Sequence, residues 1–200
     1  MTLAEEQTSP ILNVVARLLE EYGYDGWQLR DVAERAHVSL STIYKHFPAR
    51  DELIIAALEV WMAENVYRPI DLEPSDDRSP FEIMRSVFRT MFEPWEEHPQ
   101  ILEVFVRALM TPGRKRLQAQ GDANVRPLSE ALRKLEPEFA QDVGMILTDM
   151  IEGILSRFVK GDIEVTDIVP AIERVLQRLE QAASVVAAEQ RSVTVRQTRK

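Results

Sequence analysis

The sequence contains no cysteine. Disulfides, thiol nucleophiles and thiolate metal sites are therefore excluded, and the composition fits the reducing cytoplasm. No apolar run approaches the roughly 20 residues that a membrane-spanning helix needs, so no membrane partner is read. The opening stretch, Met1 to Gln7, is acidic and lacks the basic-then-apolar order of a secretory signal. There is no glycine-rich phosphate loop, no Ser/His/Asp set and no close carboxylate pair, so no enzyme is read and no cofactor is implied. His98 stands near Glu96, Glu97 and Glu103, but the intervening Pro99 keeps them off one helix face. An acidic surface patch explains them better than a metal site. The formal net charge of −9 argues against indiscriminate coating of nucleic acid, while leaving room for a small, locally positive docking face.

What the chain does have is helical period. Its 200 residues, 45% hydrophobic and 28% charged, suffice to bury a real core as one large domain or two small ones. The most informative stretch is Gln28 to Phe47, QLRDVAERAHVSLSTIYKHF. Leu29, Val32, Ala33 and Ala36 share one helical face; Val38, Ile43 and Phe47 share another beyond a turn. Ser39 can cap the second helix. Gln28 is a poor cap for the first, partly offset by Asp31 at the positive helix end. His37 occupies the turn, where a left-handed backbone is expected. Helices this short need a third element to pack on. Ser9 to Tyr22 supplies it through Ile11, Leu12, Val14, Val15, Leu18, Leu19 and Tyr22, opened by Ser9-Pro10 and ended by Gly23. The result is a helix-turn-helix whose second helix keeps a free, acid-free outer face of Leu40, Ser41, Thr42, Tyr44, Lys45 and His46.

This stretch resembles the DNA-binding segment of the TetR family of bacterial transcriptional regulators. The likeness rests on Ile43-Tyr44-Lys45-His46-Phe47-Pro48-Ala49-Arg50-Asp51-Glu52-Leu53 and is sharp from Ile11 to Ala57. It implies a DNA-contacting set of Ser39, Leu40, Ser41, Thr42, Tyr44, Lys45, His46 and Arg50. Tyr44, Lys45 and Arg50 would hold phosphates, and Leu40, Ser41 and Thr42 would read base edges in the major groove. For Tyr44 and Lys45 the alternative is a plain solvated face; His46 fits the groove or its own helix equally well. Glu5 and Glu6 stand where many relatives carry a basic minor-groove arm.

Beyond Arg50 the pattern is helical to the end, and the fold class is all-α: a three-helix helix-turn-helix head and a larger helical ligand-binding and dimerisation body. The divisions read as 1–50 for the head, 51–190 for the body and 191–200 for a disordered basic tail. A long helix from Asp51 carries Leu53, Ile54, Ala57, Leu58, Trp61, Met62 and Val66; in the family it is the lever between the halves. A proline-bounded loop over 69–80 follows. Next comes a helix over 81–98 that Pro94 kinks or ends. Another begins at Pro99, a basic stretch Arg114-Lys115-Arg116 and a polar run reach Gly121, and a short helix spans 124–135. Met84, Phe88, Met91, Phe92, Trp95, Phe105, Leu109 and Met110 read as ordinary core on composition. The resemblance makes them the lining of an effector cavity, and the two readings are compatible. Arg107, Arg114, Lys115 and Arg116 could greet an anionic group, although a solvated run fits the last three better.

The last two helices, over 138–160 and 166–190, carry a wide apolar band and a regular seam. A four-helix bundle between two copies would bury both, giving a homodimer interface of Ile151, Ile154, Leu155, Phe158, Ile172, Val175 and Leu179. The function the resemblance implies is binding of a palindromic double-stranded DNA operator, as a repressor released by a small apolar effector of acyl or steroid type. A ligand-sensing protein without operator binding is the alternative.

Overall fold

The computed structural model describes residues 3–70 and 78–198, with side chains described over 8–68, 70 and 78–185. Ten α-helices account for almost all of it, and no strand occurs among the described residues. The head comprises α1 (Leu3–Tyr22), α2 (Leu29–Arg35) and α3 (Leu40–His46). Helix α1 begins before the expected Ser9, so Pro10 lies inside it rather than at its first position. Proline there forgoes a single backbone bond near the helix end.

Local chemistry explains the turn of the motif. After α2, the Val38 N–H returns to the Ala33 carbonyl at 3.0 Å and the His37 N–H to Glu34 at 3.3 Å. That pair of bonds is a Schellman ending, which requires a left-handed residue between them. His37 takes that place at φ 54°, as the sequence predicts. At the start of α2, Asp31 does more than offset a poor cap through the dipole: its carboxylate accepts the Gln28 backbone N–H at 2.7 Å. Ser39 caps α3 by accepting the Thr42 N–H at 3.1 Å.

Helix α4 (Arg50–Met62) is the centre of the molecule. Leu53 through Leu58 are all buried, with Trp61 and Met62. A helix apolar on nearly every side must be covered on every side. It packs on α1, α6 and α7. Its continuation is not the straight lever that the sequence pattern predicts. Ala63–Tyr67 form a π-helical turn and Arg68–Ile70 a 3-10 turn. The remainder of the expected loop, 71–77, lies outside the described residues.

Ser79 then caps α5 (Pro80–Glu97), accepting the Glu82 N–H at 3.2 Å while Glu82 accepts the Ser79 N–H at 2.7 Å. Pro94 neither ends nor breaks α5: the helix forgoes the one N–H bond that proline cannot make and runs on to Glu97, with the His98 N–H closing on the Pro94 carbonyl at 3.2 Å. Helix α6 (Pro99–Ala108) follows, then α7 (Arg114–Asn124) and α8 (Arg126–Arg133). The polar run before Gly121 is thus a helix of its own, held down by the single buried side chain of Leu117.

Helix α9 (Pro137–Val159) packs on α6 and α8, and α10 (Ile168–Thr198) lies along α5 and α9. Arg85 bonds Glu180 at 2.9 Å, and Arg89 pairs with Glu173, fixing α10 on α5. The helix runs on to Thr198 where a disordered tail is expected from Arg191. Extending a long helix gains one bond per residue fixed, which offsets the weak propensity of Val193, Thr194 and Val195. The last two residues lie outside the described part.

The expected dimer residues divide. Ile172 is fully buried and Ile154 nearly so, and Ile168, Ile172 and Leu176 form one stripe covered within the protomer. Ile172 of α10 and Ile154 of α9 are thus covered by their own chain, and α10 lies along α5 and α9. Ile151 and Leu155 face the cavity described below. Phe158, Val175 and Leu179 remain half-buried. Among the described side chains of α9 and α10, the large apolar ones left exposed are Met145, Ile146, Val159 and Val185.

Candidate DNA-reading face and ligand cavity

Helix α3 is seven residues long and survives because Ile43 is fully buried against the head core. That anchor turns Tyr44 outward, 52% exposed, with Lys45 beside it in the open. Lys45 makes no ion pair among the described residues. At the start of the helix three hydroxyls form a cluster: Ser39 Oγ lies 2.7 Å from Ser41 Oγ and 2.8 Å from Thr42 Oγ1. A helix N-terminus bearing neutral, rotatable donors and acceptors, with an aromatic hydroxyl and a cation one turn on, can meet base edges and phosphates together. Leu40 is half-buried against the core, so only part of it is available to a base methyl. His46 is also half-buried, its ring 6.4 Å from Phe47, which favours the reading that rests it on its own helix.

Arg50 departs from expectation. Its guanidinium lies 4.3 Å from the centre of the Trp27 ring and donates to the Tyr24 carbonyl. A phosphate clamp needs that group facing solvent; here it pins the α1–α2 loop to α4. Around it the loop is tied further into the body. Tyr24 donates to Asp51 at 2.9 Å, and burial with that bond pushes its phenol up to about 12. Arg107 of α6 pairs with Asp25 and lies over the Tyr24 ring at 4.2 Å. Glu20 of α1 meets Nδ1 of His98, whose ring stands edge-on to Trp61. On the α7 side, Arg116 pairs with Glu59, and Arg114 lies 3.5 Å from Glu152. The arginines read as an anion-greeting or solvated run are thus ion-paired, chiefly as ties between elements.

The body holds a cavity of about 550 Å³ between the end of α4 and helices α5 to α9. Phe88, Met91, Phe92, Trp95, Phe105 and Leu109 line it as the sequence predicts. Trp95 stands between Trp61 and Phe105, with ring centres 4.8 and 5.5 Å away. Two expected members are absent. Met84 is fully buried among the core side chains, and Met110 is 84% exposed beyond the end of α6. The stripe also missed residues. Met62, Val66 and Tyr67 reach the cavity from the lever helix and its π turn, and Leu117 reaches it from α7. Polar groups stand on two facing helices: Gln118 and Asp122 on α7, Thr148 and Glu152 on α9. Among the described residues no cluster of His, Asp and Glu suits a metal, and no helix is long and apolar enough to cross a membrane.

Comparison with known proteins bears on both halves. A family model described as bacterial regulatory proteins of the tetR family matches residues 11–57. A second, the tetracyclin repressor-like C-terminal domain, matches residues 78–179 and so covers half of the chain.

The chain belongs to the TetR family.

Within that family it is similar to the HTH-type transcriptional repressor KstR of Rhodococcus jostii, 30% identical over 108 residues, which is 53% of this chain and 49% of the relative. The chain spans about half the length of the curated relatives it matches. Among solved structures, a tetR-family regulator from Streptomyces coelicolor superposes with a TM-score of 0.69 at 17% identity, covering 98% of this chain and 89% of that one. The transcriptional regulator FadR of Bacillus subtilis, solved in complex with stearoyl-CoA, gives 0.63 at 16% identity over 84% and 96%. At such identities the likeness is one of fold. Both the head and the cavity-bearing body therefore sit in a TetR architecture, in a family of regulators.

Proposed function

We propose that this TetR chain is a dimeric transcriptional repressor that binds a palindromic operator and leaves it when a small apolar molecule enters the body cavity. The observation that carries this reading is the α3 face: a capped, hydroxyl-rich helix start with Tyr44 and Lys45 outward and Ile43 fixing their direction. Tyr44 and Lys45 would bind phosphates, while Ser41 and Thr42 would reach bases. The repressor names of the KstR relatives and the fold shared with a regulator holding stearoyl-CoA support the rest of the reading.

A second copy would cover Met145, Ile146 and Val159 of α9 with Val185 of α10, using Phe158, Val175 and Leu179 at the margin. Such a two-fold bundle sets the spacing of the two α3 helices, which is why a palindrome is expected. Ligand contact with Met62, Val66 and Tyr67 would act on the lever itself. About 1–3 kcal/mol of coupling suffices to release DNA usefully.

One observation favours the alternative, a ligand sensor without operator binding: the Arg50 guanidinium lies over Trp27 and bonds the Tyr24 carbonyl, which draws it away from a phosphate. Selection from random DNA at low salt separates the two readings. An enriched two-half-site sequence supports the repressor; no enrichment, with ligand binding intact, supports the sensor. Thr42 substitutions should then change which sequence is preferred. Lys45→Ala should weaken all sites alike and lower the salt slope by about one.

A further inference from the structure

The polar side chain deepest in the cavity wall has no partner. Tyr67 is only 9% exposed, yet its hydroxyl makes no hydrogen bond among the described residues. It arrives there through the π turn at the end of α4, which carries Val66 and Tyr67 to the same cavity as Met62. Single π turns inside helices are uncommon and recur at functional sites. Gly121 of α7 lies alongside: a Cβ at that position would stand 3.4 Å from the phenolic oxygen, in contact with it. The opposite walls, with Phe88, Phe92 and Phe105, are apolar, and Trp95 among them brings only an indole N–H, a donor and not an acceptor.

We infer that the Tyr67 hydroxyl is the polar anchor of the cavity, donating a hydrogen bond to a neutral carbonyl or hydroxyl oxygen on an otherwise apolar ligand. This rests on reading the cavity as the effector site. The phenolic oxygen opens into the cavity, and an acceptor on a ligand would give its hydroxyl the hydrogen-bond partner that no described residue supplies. The group remains a donor throughout the working range of pH, because burial and the nearby Asp122 charge push it up to about 12. Asp122 also sets the class of acceptor: a carboxylate at the hydroxyl would face a like charge across the same wall, and an uncharged oxygen would not. A ketone, ester, thioester or alcohol oxygen fits; a bare fatty acid does not.

The test uses methyl laurate and laurate, the same chain with a neutral and an anionic head, titrated into the whole protein by calorimetry and by tryptophan emission, to which Trp95 in the cavity wall contributes. Wild type should bind methyl laurate more tightly than laurate. Tyr67→Phe should weaken methyl laurate about 3–10-fold, the value of one neutral hydrogen bond, while the unliganded protein melts no lower than wild type. Asp122→Asn should narrow the gap between the two probes. Equal affinity of wild type and Tyr67→Phe for methyl laurate would overturn the anchor and leave the cavity reading intact. Preference of wild type for laurate would overturn the neutral class. Binding of neither probe would remove the effector-site reading, and the inference with it.

Discussion

Replacing Arg50 tests whether that residue holds DNA or holds the head to the body. Its half-buried guanidinium over the Trp27 ring at 4.3 Å contributes about 0.5–2 kcal/mol. The charged bond to the Tyr24 carbonyl adds roughly 1.5–3 kcal/mol, since removal strands that carbonyl. Against these stands a positive charge in the first turn of α4, unfavourable by about 0.3–1 kcal/mol. Contributions to one cluster do not add fully, so Arg50→Ala should cost about 2–3 kcal/mol. For a chain of this size that lowers Tm by roughly 4–12 °C. Arg50→Lys should fall between, because it keeps the charge and loses the flat stacking surface. Thermal and urea unfolding followed by circular dichroism measure both variants, with operator binding read across a salt series. An Arg50→Ala protein as stable as wild type, whose salt slope drops by about one, would refute the assignment and restore the phosphate clamp.

Other consequences follow from the same geometry. Ser39→Ala removes the α3 cap, costing about 1 kcal/mol in unfolding experiments, and frees the Ser41 and Thr42 hydroxyls, so affinity should fall more than stability alone explains. His37→Gly relieves a left-handed residue at roughly 1–2 kcal/mol against about 0.5–1 kcal/mol of added chain entropy. A small rise in Tm is expected, and a fall would contradict the strain. The Ser79 backbone N–H holds the Glu82 carboxyl below the usual carboxylate range. Its contribution is therefore present above the ordinary carboxylate pKa and lost as pH falls through the lowered value. Glu82→Gln should lower stability at neutral pH and flatten the acid limb, the two proteins converging once the wild-type carboxyl is protonated.

The head was largely legible because its information is local. Ile43, Ser39 and His37 each obey a rule that spans four or five residues, and the Tyr-Lys-His-Phe close marks the helix that carries it. Arg50 was not legible, since its destination depends on Trp27 and Tyr24, over twenty residues earlier in the chain and brought close only by α1 packing on α4. The same limit explains Ile172. Helical period shows that a stripe is buried, but not whether α5 of the same chain or a second copy covers it. Met84 and Met110 share the spacing of true cavity residues, and only three-dimensional packing separates core, wall and surface. Tyr67 escaped for a different reason: the π turn shifts the phase of the helix, so a 3.6-residue pattern points the wrong side chain inward.

The central claim is that two copies of α3 meet one duplex at equivalent places. Footprinting the selected operator, with the mass of the complex measured alongside, tests it most directly. The account predicts two protein chains on one duplex and two protected segments centred about one helical turn, or a whole multiple of it, apart. Methyl laurate or another cavity ligand should abolish both segments together. A single protected segment with one chain bound, or protection that survives an occupied cavity, would contradict it.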